Sequence, residues 1–135
     1  MAAHKYTSWG RTRRPKNIAG ADGTAITLES APTTSATAGY RTENQRYLHV
    51  NIVATGTTDS VIIYGFNYAA AKWGVLQVPV HGAATTFNAA YVTAEIEGST
   101  TRKNFVIDIS GIDRVAFVRD GTTDTFTIYA AGSTF

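Results

Sequence analysis

Beyond residue 45 the chain alternates apolar and polar positions with a period of two. Across residues 46–55 (RYLHVNIVAT), Leu48, Val50 and Ile52 fall on one side and Tyr47, His49 and Asn51 on the other. Successive side chains of an extended strand point to opposite faces, so this spacing predicts a strand with one face buried and one wet. The C-terminal third repeats the pattern three times, with Phe105, Ile107 and Ile109, then Val115 and Phe117, then Phe126 and Ile128. Residues 60–68 (SVIIYGFNY) place Ile62, Tyr64, Phe66 and Tyr68 on one side against Val61 and Ile63, and Gly65 inside the run marks a bulge or a close backbone approach. In residues 73–80 (WGVLQVPV) Leu76, Val78 and Val80 share a side, while Pro79, lacking an N–H, confines the run to an edge or a strand end. Residues 90–97 read as a further strand and residues 25–29 as a short edge strand.

Between these runs lie turn-forming stretches. Residues 31–44 and 81–88 read as loops, and the DGTTD of residues 120–124 as a hairpin connection. Strands recurring every 10–15 residues or so, with no helical period, predict an all-β protein: an antiparallel, jelly-roll-like sandwich of seven to eight strands. Residues 1–22 have no sustained period and are interrupted by Gly10, Pro15 and Gly20, so they predict an extended N-terminal arm ahead of a sandwich over residues 23–135.

Length and composition narrow this further. A chain of 135 residues is one domain, long enough to bury a core unaided. It has no cysteine, which excludes disulfides and thiolate metal sites. No window of 18 apolar residues exists to cross a membrane as a helix, and the N-terminal stretch lacks the apolar core of a secretory signal. Charged residues are only 16% of the chain, and Thr, Ala, Gly and Ser are abundant, a composition at home on an extracellular or virion surface. The charge is unevenly placed. Residues 1–21 hold Lys5, Arg11, Arg13, Arg14 and Lys16 with no acid, and the remainder sets seven Lys and Arg against ten Asp and Glu, a net of −3. The pattern is a basic arm on a mildly acidic body.

The candidate chemistry points away from catalysis. No nucleophile with a neighbouring base is evident, the three histidines (His4, His49, His81) sit in unrelated settings, and no metalloprotease, nucleophile-elbow or phosphate-loop motif occurs. Glu95 and Glu97 share a strand face, as solvated carboxylates do. Asp108, Asp113, Asp120 and Asp124 flank turns, where aspartate bonds the local backbone, and no loop has the oxygen-rich spacing of a calcium site. No metal or other cofactor is expected. The arm residues Trp9, Arg11, Arg13, Arg14 and Lys16 suit docking on an acidic partner, with Trp9 as an interface anchor; five cations in 21 residues are few for a nucleic-acid tail. Tyr64, Tyr68, Trp73 and Tyr91 suit a core or subunit interface first and a sugar-stacking platform second.

The segments IIYGFNYAAAKWGVLQV and FVIDISGIDRVAFVRDGTTDTFTIYAA resemble small β-sandwich proteins of bacteriophage virions, a group that includes head decoration (cement) proteins, baseplate parts and fibre domains. The similarity runs over residues 46–131, carried by Ile63 to Phe66, Trp73 to Val78, Ile109 to Phe117 and Thr125 to Ala130. It departs at Asn67 and Tyr68, where a small loop often sits. The resemblance implies a virion surface role without choosing among these; the compact size and the arm favour a non-enzymatic capsid decoration protein, made in the host cytoplasm and located on the capsid surface, with the major capsid protein as partner. The absence of a repetitive shaft favours decoration over a fibre. Closed symmetry, a dimer or trimer, is the expected way to multiply modest contacts. The alternatives are a carbohydrate-binding module and a tail or baseplate adhesin component.

Overall fold

The computed structural model describes residues 14–80 and 90–134, and among these it is built from strands without a helix. The strands are β1 Lys16–Asn17, β2 Tyr40–Arg41, β3 Tyr47–Ala54, β4 Ser60–Asn67, β5 Lys72–Val75, β6 Gln77–Pro79, β7 Tyr91–Thr93, β8 Glu95–Glu97, β9 Lys103–Asp108, β10 Arg114–Asp120 and β11 Phe126–Ser133. One sheet has the order β1-β11-β3-β9. The second has the order β2-β10-β4-β5, with β8 also on β4, and β6 and β7 form a separate ribbon. Every strand pair is antiparallel, and the fold is an all-β sandwich.

The period-two pattern sets which residues meet between the sheets. Leu48, Val50 and Ile52 of β3, Ile107 of β9, and Ile128 and Ala130 of β11 pack against Val61 and Ile63 of β4, Ile96 of β8, and Val115 and Phe117 of β10. Burying each of the larger side chains stabilises the fold by about 1.5–3 kcal/mol relative to exposure. A second, smaller apolar layer lies on the outer face of β4. There Phe66 is fully buried, its ring 5.3 Å edge-on from Tyr68 and 5.4 Å from Trp73.

More strands appear than the sequence pattern predicts, because β1 and β2 form in segments read as arm and loop and two runs change partners midway. Residues 72–79 leave β4 at Leu76, and residues 91–97 join it at Ala94. At the crossing three amides close a ring: Ile63 N–H donates to Ala94 O (2.9 Å), Ala94 N–H to Leu76 O (2.8 Å) and Leu76 N–H to Ile63 O (2.9 Å). Beyond it, β6 and β7 peel away as the ribbon.

The 120–124 segment is not a hairpin. It carries the chain from β10 in one sheet to β11 in the other, as residues 55–59 carry β3 to β4 and residues 98–102 carry β8 to β9. These three arches share one end of the sandwich. Thr42 closes the other end, its N–H donating to Asp113 O (2.9 Å) and its hydroxyl to Ile112 O.

Other segments also differ from the sequence reading. Residues 25–29 form no strand; Ile26 N–H donates to Ile128 O (2.7 Å), and Glu29 makes an isolated parallel bridge to Val118. The 31–44 stretch contains β2 and is pinned by Arg114, whose guanidinium donates to the carbonyls of Thr37 (3.1 Å), Ala38 (2.7 Å) and Gly39 (3.3 Å). Residues 14–22 lie against the body: β1 pairs with β11, and Asn17 is buried, its side chain bonded to Ala21 O, Thr24 O and Ala19 N–H.

Candidate functional site

Of the arm residues singled out by sequence, Trp9, Arg11 and Arg13 lie outside the described residues, as does the 81–88 loop. Arg14 is exposed and ion-paired with Asp22; Lys16 sits on β1 with its Nζ 3.3 Å from Glu43. The four candidate aromatics do not assemble into one platform. Tyr64 is half-buried on β4, and Tyr68 is exposed beside Phe66. Trp73 is fixed by its indole N–H, which donates to Ser35 O (2.7 Å), and Tyr91 lies on the ribbon strand β7. Tyr68 and Trp73 cover Phe66, and Trp73 also anchors the 31–39 loop.

The outer face of the β1-β11-β3-β9 sheet carries a groove in which several polar side chains stand among apolar surface. His49 Nε2 lies 2.7 Å from Ser133 Oγ, Asn51 bonds Asn104 (2.8 Å), and Arg102 donates to Asn51 Oδ1 (2.6 Å) while its guanidinium lies over the Tyr129 ring. Pro15, Asp22 and Gly23 wall it on the β1 side.

The feature with most capacity to bind is the seam between the sheets on the β9 side. β9 is the last strand of its sheet, and no strand among the described residues pairs with its outer edge. Ile109 N–H bonds Arg46 O, which fixes the phase of the ladder: Lys103, Phe105 and Ile107 direct their main-chain groups to β3. Asn104, Val106 and Asp108 therefore turn theirs outward. Across the seam, Gly98 N–H bonds Asp59 O and Ile63 N–H bonds Ala94 O, so Thr93, Glu95 and Glu97 likewise turn their main-chain groups away from their neighbours. Between these edges lies a groove of about 500 Å³. Its apolar wall is Val78, Ala94, Ile96, Phe105 and Ile107, and its rim carries the carboxylates Glu95 and Asp108, with the Arg46 guanidinium close enough to act on Asp108. Val92 (50% exposed) and Val106 (65% exposed) stand at its mouth.

Asp108 is held below the ordinary carboxylate range, chiefly because the Ser110 N–H donates to it (2.9 Å), then through the Ser110 hydroxyl and the charge of Arg46, against a small opposing effect of burial. Asp108 is thus ionised at neutral pH. The seam carried one sequence signal: Val106 is an apolar residue at a wet position, between Asn104 and Asp108, where strict alternation calls for a polar one.

No protein-family model, no curated protein and no solved structure matches this chain.

Proposed function

We propose that this chain is a non-enzymatic structural protein of a phage virion, a capsid decoration protein that docks on the head and bridges neighbouring capsid subunits. The observation that supports docking over chemistry is the open seam: two outward-facing strand edges beside an apolar, acid-rimmed groove, on a two-sheet body. Unpaired edges of this kind bind by adding a strand, main-chain bonds giving affinity and alternate side chains giving specificity. The resemblance to virion sandwiches and the surface-type composition point the same way. The test is co-sedimentation with emptied tailed-phage heads: saturable binding and a higher temperature of head disruption are expected, and heads that neither bind the protein nor gain stability would sink the reading.

One observation favours carbohydrate binding as a second reading, with its residues moved from those the sequence suggested. The outer-face groove brings Tyr129, His49, Asn51 and Asn104 together, an aromatic ring among amide and imidazole groups. A glycan array separates the readings, since retention of any glycan in a Tyr129-dependent manner would favour this one.

A further inference from the structure

The seam needs an occupant, and the chain carries a segment that fits it. Residues 1–13 (MAAHKYTSWGRTR) lie outside the described residues and contain three Lys and Arg and no acid. In an extended chain alternate residues share a side, so Lys5, Trp9, Arg11 and Arg13 fall together, one large apolar group among cations. The groove has the complementary arrangement, an apolar wall of Ala94, Ile96, Phe105 and Ile107 beneath a rim of Glu95 and Asp108. We propose that the N-terminal segment of a second copy of this chain docks in the seam as an added strand along β9, its cationic side toward the groove and Trp9 against the apolar wall. This rests on reading the seam as a docking site, and adds what occupies it.

Direction argues for a second copy rather than the chain's own segment. Through the register, Lys16 stands level with Ile107 and Asn17 with Val106, so the chain enters β1 from beyond the Asp108 end of the sheet. Thirteen extended residues reach about 45 Å, and the four strand spacings from β1 to a strand added beyond β9 are about 19 Å, so length does not forbid self-docking. But a segment folding back from that end would run along β9 in the same direction. Every strand pair in the sandwich is antiparallel, the better hydrogen-bonded arrangement, and a segment from a second copy is free to enter that way. Asn104, Val106 and Asp108 then supply about six main-chain hydrogen bonds. Exchange of segments between two or three copies gives a closed oligomer.

The test uses three chains: full length, a truncation lacking residues 1–13, and Val106→Pro. The Val106 N–H points out of the sheet, so proline removes a docking donor and no internal ladder bond. Light scattering should give a dimer or trimer for the full chain and monomers for both variants. Mixing the two variants should restore a complex, because one supplies the segment and the other the seam. Addition of a synthetic 1–14 peptide to the truncated chain should slow amide exchange at Asn104, Val106 and Asp108 at least tenfold. A monomeric full chain, an oligomer that survives either change, or failure of the mixed variants to associate would overturn the proposal. A monomer that still saturates phage heads would overturn this inference alone, and a segment-dependent oligomer that ignores heads would overturn only the virion reading.

Discussion

Asp59 and Asp124 hold each other's loops. Asp124 Oδ2 accepts from the N–H groups of Thr58 (2.8 Å) and Asp59 (2.9 Å), and Asp59 Oδ2 accepts from those of Thr123 (2.7 Å) and Asp124 (2.8 Å). Both residues are buried, at 5% and 4% exposure, and both lie in arches that cross from one sheet to the other. Four amides, two of them in buried bonds and two part-buried, are satisfied by two carboxylates. Asp124→Ala is expected to cost about 1–3 kcal/mol, since it strands the buried Asp59 N–H and the part-buried Thr58 N–H, and Asp124→Asn about 1–2 kcal/mol. The denaturation midpoint should fall with the slope of the transition unchanged.

The clasp leaves no space for a side chain beside it. A Cβ at Gly98 would sit 2.8 Å from the carbonyl oxygens of Asp59 and Gly56, and Gly121, at φ 117°, faces the Asp59 carboxylate in a conformation that side chains rarely adopt. Gly98→Ala is therefore expected to lower the melting temperature by about 4 °C or more, consistent with a loss of at least 1 kcal/mol. Gly74→Ala, which meets no atom within 4 Å, should change it far less; both are read in one thermal scan.

Arg114 fastens the 31–39 loop through three carbonyls, with the Trp73 indole as a fourth point at Ser35. A lysine cannot reproduce that fork, because its single ammonium lacks the planar spread of donors. Arg114→Lys should expose residues 31–39 to a non-specific protease several-fold faster and cost about 1–3 kcal/mol. Trp73→Phe should loosen the same loop to a smaller extent, as seen by amide exchange.

Asp108 gives a pH dependence with a defined sign. Its folded pKa lies below the ordinary 3.8, so its contribution is fully present above that value and disappears as pH falls through the lowered one. The side chain is exposed, so the effect on stability is small. Ser110→Ala removes the hydroxyl but keeps the dominant N–H donor, and should raise the Asp108 pKa only part of the way to 3.8, measured by carbon-detected NMR titration of the carboxyl.

How far the sequence reached depends on whether a feature is local. β3 was readable because one side of it is apolar throughout and every second residue is buried. β4 was harder: both sides are apolar, one facing the core through Val61 and Ile63, the other burying Phe66 under Trp73 and Tyr68. The residues at 120–124 signal a turn but carry nothing that says whether the next strand pairs with the last or crosses to the other sheet. The partner switch at Leu76 and Ala94 is likewise a matter of tertiary packing that no local period encodes. Arg114 read as one more charge, because the carbonyls it holds lie more than 70 positions away. Of the seam, only the misplaced Val106 was visible; the groove exists because two edges from different sheets run side by side.

The Asp59–Asp124 clasp also bears on how the protein is made. Asp59 must wait for amides 64 and 65 positions downstream, so the arch end of the sandwich stays unlatched until residues 123 and 124 have left the ribosome. Long-range closures of this kind slow folding, and interactions completed after the rate-limiting step govern mainly the rate of unfolding. The clasp is thus placed to set the lifetime of the finished protein more than the speed at which it forms.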